Sequence, residues 1–464
     1  MNTIISNKIY VCNATMELYR YVHEELMVTN PKYETLLRLG KDAQITRYHI
    51  EPKMALFVEN GYDLVLPFGC LYAIWKYIKN YPYELKFNKA SFISCCDDKS
   101  QFPLYDYQEE AVEKMLEAKG GVLIGGCGSG KTNCGIEIIR RIGKNALWLC
   151  HTKDLLTQTV KRIKSLYPNM PVGTITDGKI DMVKNGITVS TIQTLVNVDA
   201  ELYKDNFETI VTDECHHISG SPTLQKSFIK VINKISARYK FGLTASDRRN
   251  DTLTKSMYAH IGCNPQGEYE PTWRIDRGET KTLTARHEKV ELDTPFSYCM
   301  LNDDGTFNYP NLVDYLATNE KRNDIICEKI VELSKENRKQ LVLCSRVEQC
   351  KILHQKLLDL GINAVLLIGK VSDKKREAIL TEKVDWQVIV ATVSLAKEGL
   401  DVVSLDTLHL VSCISNKSDT VQSVGRIERV CENKKEPIVF DYVDINIPYL
   451  TSRYKKRVNW LKRR

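Results

Sequence analysis

Two short stretches of this chain have residue types and spacing suited to chemistry on phosphates. The first is Gly125-Gly126-Cys127-Gly128-Ser129-Gly130-Lys131-Thr132, which fits Gly-x4-Gly-Lys-Thr. It follows the apolar run Val122-Leu123-Ile124 and precedes a helical run from Ile136 to Arg141. In that strand–loop–helix setting the loop is a phosphate cradle. Glycines let backbone N–H groups curl around phosphate oxygens without side-chain clash, and the helix N-terminus adds partial positive charge. Gly125, Gly126, Cys127, Gly128, Ser129 and Gly130 are expected to wrap the phosphates of ATP. Lys131 is expected to reach the β- and γ-phosphates, and the Thr132 hydroxyl to ligate Mg²⁺.

The second stretch is Asp213-Glu214-Cys215-His216, after the β-rich run Thr209–Thr212 and about eighty residues beyond the loop. A carboxylate at a strand's C-terminal end can hold Mg²⁺, a role expected of Asp213. The adjacent Glu214 can polarise an attacking water. Together the two stretches predict nucleotide hydrolysis.

The elements that must position them read as two series of buried strands. Val122–Ile124, Ala146–Cys150, Ile187–Ser190 and Thr209–Thr212 make the first; Leu341–Cys344, Ala364–Leu367, Val388–Ala391, Thr407–Val411 and Ile438–Phe440 make the second. Each is nearly continuously apolar or β-branched, as strands covered on both faces of a parallel sheet are. Two α/β domains are therefore expected, spanning 99–280 and 281–448. Residues 1–98 read as a separate α+β module, with strands at Lys8–Cys12 and Met54–Val58, a turn at Gly61-Tyr62-Asp63 and a helix at Leu71–Ile78. The polar stretch Cys96–Gln101 reads as a linker, and residues 449–464 as a basic C-terminal tail.

Bulk properties narrow the class. A chain of 464 residues is too long for one ordinary core. No apolar run is long enough to span a bilayer, and the start lacks the layout of a secretion signal, so a soluble cytoplasmic protein is expected, with no membrane partner. The 15 cysteines include no Cys-x-x-Cys pair, which points to reduced thiols rather than zinc or redox chemistry. The net charge of +7 is matched by the seven basic residues of Arg453–Arg464, so the rest is formally neutral (7 − 7 = 0). A nucleic-acid groove in the body must come from local placement of charge. The stretch Arg453–Arg464 can be read as a phosphate contact, or as a helix face with Trp460 and Leu461 packed inward.

Residues 102–446 resemble a superfamily 2 helicase, with motifs in order. Tyr105-Asp106-Tyr107-Gln108 resembles the element whose Gln contacts adenine. His151-Thr152-Lys153 and Ser190-Thr191-Ile192-Gln193-Thr194 resemble motifs Ia and Ib, which touch the nucleic-acid backbone. Gly242-Leu243-Thr244-Ala245-Ser246 resembles motif III, Leu343-Cys344-Ser345-Arg346 motif IV, and Ala391–Asp401 motif V. Gln422-Ser423-Val424-Gly425-Arg426-Ile427-Glu428-Arg429 matches motif VI. The resemblance implies two tandem RecA-like parallel-sheet domains behind the small α+β module. It implies catalytic roles for Asp213, Glu214, His216, Gln422, Arg426 and Arg429, and ATP contacts from Gln108, Gly399 and Asp401. Thr244, Ala245 and Ser246 would couple the two sites. Nucleic-acid contacts would come from Thr152, Lys153, Thr191, Gln193, Arg249, Ser345, Arg346 and Thr392. Arg426 and Arg429 would act as arginine fingers, worth about 10³–10⁵ in rate where such residues operate.

The resemblance is strongest to the XPB-like and UvsW-like group, which acts on DNA, although Asn250 departs from that group's Arg-Glu-Asp triplet. Asn30-Pro31-Lys32-Tyr33, Leu37–Lys41 and Val65–Gly69 resemble the front module of phage-encoded members. That implies remodelling of branched DNA in phage replication or recombination, in the host-cell cytoplasm. The oligomeric state is open, and a monomer is compatible with the motif set. An RNA helicase with the same motor and an ATP-gated clamp that does not translocate are the alternatives.

Overall fold

The computed structural model describes all residues except 95–97, 127, 219–226, 246–252, 277, 279, 281, 370, 398–399, 401, 413, 415 and 463–464, and excludes the side chains of 373, 374, 396, 397 and 418. The chain divides into two units, Met1–Glu279 and Thr280–Arg464.

The first unit opens with strands β1 (Asn2–Ile5), β2 (Lys8–Cys12), β3 (Met27–Thr29), β4 (Lys53–Ala55), β5 (Val58–Asn60), β6 (Asp63–Pro67) and β7 (Tyr83–Leu85). They form a sheet in the order β5-β6-β2-β1-β7 and a separate β3-β4 pair. Ile9 and Val11 alternate inward from β2 and pack with Leu18 and Val22 of the helix Met16–Glu25 and with Ile74 and Ile78 of the helix Leu71–Ile78. The run Met54–Val58, expected as one strand, is divided between β4 and β5. Buried Leu56 and Phe57 lie where the chain leaves its β3 partner for β6.

This core does not end at the module. Leu253 and Ala259, far along the chain, belong to it. Residues 88–94 are bonded onto the following domain: Asn88 Nδ2 donates to Lys204 O (2.6 Å) and Phe207 O (3.0 Å), Ala90 N to Glu208 Oε2 (3.2 Å), and Ile93 N to Gly143 O (2.9 Å).

That domain holds β8 (Gly120–Gly125), β9 (Ala146–Cys150), β10 (Val172–Thr176), β11 (Lys179–Asp181), β12 (Ile187–Thr191), β13 (Thr209–Asp213), β14 (Tyr239–Thr244) and β15 (Trp273–Ile275). Their order is β11-β10-β12-β9-β13-β14-β8-β15, all parallel except the β10–β11 pair. Apolar side chains leave both faces. Leu123 and Trp148 join one core, while Val122, Ile124, Leu147 and Leu149 join the other. This two-sided burial is why the strands read as unbroken apolar runs.

The second unit is a six-stranded, wholly parallel sheet of β16 (Arg286–Leu292), β17 (Gln340–Cys344), β18 (Ala364–Leu367), β19 (Val388–Thr392), β20 (Thr407–Leu410) and β21 (Ile438–Asp444), in the order β16-β21-β20-β17-β19-β18. The basic C-terminal stretch takes the helical form: Pro448–Lys462 is a helix. Leu461 packs against the sheet's core. Arg457 is buried and grips Asp441 of β21 with two bonds, Nε–Oδ2 at 2.8 Å and Nη2–Oδ1 at 2.6 Å. At least one of the seven basic residues thus serves folding. No helix among the described residues is long and apolar enough to cross a membrane.

Removing one partner of a buried ion pair strands the other charge, at a cost of about 3–5 kcal/mol. Arg457→Ala should therefore lower the denaturant midpoint sharply, whereas Lys455→Ala, at an exposed position, should cost less than about 0.5 kcal/mol. Equal midpoints for the two variants would contradict the assignment.

Lys240 of β14 is fully buried, donates to Asn7 O (3.3 Å) and lies 4.5 Å over the Phe68 ring. Burial pulls its pKa down to about 7 from the ordinary 10.5. Above about pH 7 the folded chain gives up a proton that the unfolded chain keeps to near 10.5, so this group's contribution to stability rises with pH through that window. Urea midpoints measured between pH 7 and pH 9 should rise less in Lys240→Met than in the wild type; parallel profiles would refute the shift.

Candidate nucleotide and nucleic-acid site

The phosphate loop leaves the buried end of β8 and enters the helix Lys131–Ile142. Gly128 (φ +84°) and Gly130 (φ +80°) take the left-handed conformation that most side chains resist. A Cβ on Gly130 would also lie 2.1 Å from Gln108 Nε2. Gln108, 3% exposed, braces the loop: its Nε2 donates to Ser129 O (2.9 Å), and its Oε1 accepts from Tyr105 N (3.1 Å) at the start of the helix Asp106–Glu117. Lys131 Nζ donates to Gly125 O (2.7 Å) and Gly126 O (3.2 Å). Thr132 is half-buried in the helix's first turn.

Asp213 ends β13, two strands from β8, and Thr244 ends the strand between them. The register sets Asp213 opposite Leu243 and Thr244 opposite Ile124. Asp213 Oδ1 accepts from Glu214 N (3.0 Å). Glu214 is itself left-handed (φ +49°) and heads a 3₁₀ turn, Cys215–His217. His216 Nδ1 sits 3.1 Å from Glu214 Oε2 and 3.0 Å from Thr244 Oγ1, so one imidazole touches both the carboxylate and motif III.

Electrostatics separates the two acids. Burial and the Glu214 charge push Asp213 up to about 7. Burial also penalises charge on Glu214, but the close His216 imidazole and the Lys131 charge outweigh it and hold the group below the usual carboxylate range. Added positive charge beside Asp213 would favour its ionised form. Ser129 Oγ and Thr212 Oγ1 are buried without hydrogen-bond partners among the described residues. A carboxylate short of positive charge, a lysine and curled backbone amides suit a cation with phosphates.

The motif Ia and Ib segments start at the ends of adjacent strands, where Cys150 lies opposite Thr191. Thr152 caps the helix Lys153–Leu166 by accepting from Leu155 N, and Thr191, nearly buried, caps the helix Ile192–Asn197 by accepting from Thr194 N. Lys153 pairs with Asp177 at 2.8 Å across an exposed surface, and Gln193 is exposed. Ala245, after Thr244, is half-buried.

In the second unit, Cys344 lies opposite Thr392, which places Ser345 and Arg346 beside Thr392 at one rim. Ser345 N donates to Ser412 Oγ (2.8 Å), Arg346 Nε binds Asp314 (2.6 Å), and Thr392 Oγ1 lies 3.2 Å from Ser394 Oγ. Gln422 is on the helix Lys417–Gly425, and Arg426 follows at its end. Arg429 bridges Thr282, and the intervening Glu428 accepts from Leu283 N and Ala285 N. Cys127, Ser246, Arg249, Gly399 and Asp401 lie outside the described residues. The sequence reading missed the bracing role of Gln108, and it missed the ring pair His151–His217, with centroids 4.1 Å apart.

Comparison with known proteins agrees with this geometry. The family described as type III restriction enzyme, res subunit, matches residues 101–249, and the helicase conserved C-terminal domain matches residues 321–431. A protein of Acanthamoeba polyphaga mimivirus named as an ATP-dependent RNA helicase is 28% identical over 450 residues, covering 93% of this chain and 82% of its own length. A helicase of Escherichia phage T5 is 24% identical, covering 75% of this chain and 70% of its own. Among solved structures, Saccharomyces cerevisiae Dbp5 bound to RNA and ADP BeF3 shares the fold at a TM-score of 0.56 and 12% identity, covering 85% of this chain and 92% of its own. The chain thus has the two RecA-like domains of a superfamily 2 helicase. It is an ATP-hydrolysing nucleic-acid helicase.

Because Gln108 shapes the loop from behind, Gln108→Ala should act on binding more than on chemistry. We expect the KM for ATP to rise about tenfold with kcat within about threefold, in steady-state ATPase assays at saturating nucleic acid. A fall in kcat at unchanged KM would contradict the bracing role.

Proposed function

We propose that this helicase is an ATP-driven DNA translocase that remodels branched DNA: forks, Holliday-type junctions and displaced loops. The observation that carries the reading is the shared core of the first unit. The front module is packed into the first motor domain through Leu253, Ala259 and Lys240, so whatever the module contacts is held in a fixed relation to the motor. A motor with a rigid second contact suits a substrate that presents two duplex arms. The phage T5 relative supports a phage-type setting.

In this reading the loop Gly125–Thr132 holds ATP, and Thr132 and Asp213 would hold Mg²⁺. When bound, that ion would neutralise phosphate charge. Glu214 orients and polarises the attacking water, with the His216 imidazole beside its carboxylate. Arg426 and Arg429, with Gln422, are assigned the charge on the transferred group. The helix N-termini capped by Thr152 and Thr191 offer backbone N–H groups to strand phosphates, joined by Lys153, Gln193, Ser345, Arg346 and Thr392.

A second reading, an RNA helicase, is favoured by one observation: the mimivirus relative named for RNA aligns over 93% of the chain, front module included. ATPase and unwinding assays on fork, junction, displaced-loop and linear duplexes, with matched RNA strands, separate the two. Branched DNA should give the highest rates; stimulation by RNA alone would sink the DNA reading. Lys131→Ala and Glu214→Gln should each lower turnover by at least about a hundredfold while nucleic-acid binding survives. Unchanged hydrolysis in Glu214→Gln would remove Glu214 from its role.

A further inference from the structure

The 3₁₀ turn after Glu214 carries two histidines that face different neighbours. His216 reaches Thr244 of β14. His217 instead lies flat on His151, with centroids 4.1 Å apart and planes 11° apart. His151 is the residue between the end of β9 and Thr152, the cap of the helix Lys153–Leu166. On its other contact His151 stacks at 6.2 Å and 18° with Phe228, which is buried on the helix Ser227–Ile232. His216 and His217 are themselves 4.3 Å apart. The rings form a continuous series from the carboxylate of Glu214 to the first residue of motif Ia.

We infer that His217 is a positioning residue that couples nucleic acid at Thr152–Lys153 to Glu214 through its stack on His151. The inference rests on the reading of that segment as a strand contact. The mechanics follow from short lever arms. An imidazole is joined to its backbone by one Cβ, and close-packed rings cannot be compressed without loss. A shift of the Thr152 cap therefore displaces His151, and His151 can pass that shift to His217. The turn Cys215–His217 is short, and Glu214 at its head is already left-handed, so a displacement at His217 is felt at the carboxylate. His216 is engaged with Thr244, which leaves His217 as the link toward motif Ia.

The test compares wild type with His217→Ala, His217→Leu and His217→Phe. ATPase is measured without nucleic acid and with a saturating single strand, as DNA and as RNA, and each variant's melting temperature is recorded. Couplings between sites are commonly 5–150-fold. The ratio of stimulated to basal kcat should fall about tenfold in His217→Ala and His217→Leu, with the KM for ATP and the half-saturating strand concentration little changed. His217→Phe, which keeps a planar ring, should retain most of the ratio. If the Ala variant is unfolded at the assay temperature, the Leu variant, similar in volume but not planar, decides. A wild-type ratio in Ala or Leu, an equal fall of basal and stimulated rates, or no rescue by Phe overturns the inference. A wild-type chain that neither strand stimulates overturns both this inference and the reading beneath it, and is recognised before any variant is made.

Discussion

Neighbouring parallel strands deliver their C-terminal ends to one rim, and the chemistry of the first unit depends on that alignment. The phosphate loop and His151 follow β8 and β9, and Thr244 and Asp213 end β14 and β13 between them, four successive neighbours in the sheet. Their registers are fixed by burial on both faces. A slip of one residue would exchange the faces, taking Trp148 from one core and putting Leu147 or Leu149 in its place. The loop and the acids would then no longer meet. The hydrophobic core is thus what makes residues about a hundred positions apart into one site.

At that rim the difficulty is holding two carboxylates side by side with little water. The structure meets it by asymmetry. Asp213 is the more deeply buried and is pushed upward by burial and the Glu214 charge, whereas Glu214 lies against the His216 imidazole and is held below the usual carboxylate range. Left-handed backbone at a non-glycine residue costs about 1–3 kcal/mol, and it persists where surrounding contacts over-determine it. Around Glu214 those contacts are the imidazole of His216, held in turn by Thr244, and the stacked ring of His217. The strain lies at the residue proposed to orient the attacking water.

How much of this was legible follows from where each signal resides. The phosphate loop and the Asp213–His216 box are visible because the chemistry demands particular types at fixed spacing. The central strands are visible because burial on two faces leaves unbroken apolar runs. β14 was not read as a strand, since Lys240 and Gly242 interrupt its pattern, and burial of that lysine is a tertiary fact. β16, Arg286-His287-Glu288-Lys289-Val290-Glu291-Leu292, is an edge strand with mostly solvated side chains, so its composition looks like a loop. The C-terminal stretch reads either as a phosphate contact or as a helix face, because its basic residues are dense and Trp460 and Leu461 are apolar, and nothing local reveals that Arg457 has Asp441 waiting in β21. The contact of His151 with His217 joins residues more than sixty positions apart and has no local signature at all.

The boundary drawn near residue 98 on composition also has a different physical meaning in the folded chain. A tethered accessory domain closes its own core and meets its neighbour through solvated surface. Here Leu253 and Ala259 complete the front module's core, Asn7 receives the Lys240 ammonium, and residues 88–94 are hydrogen-bonded along the motor domain. Deleting the module would expose an apolar face and leave Lys240 without its carbonyl and its ring. Among the described residues, the first motor domain and the front module therefore share one core.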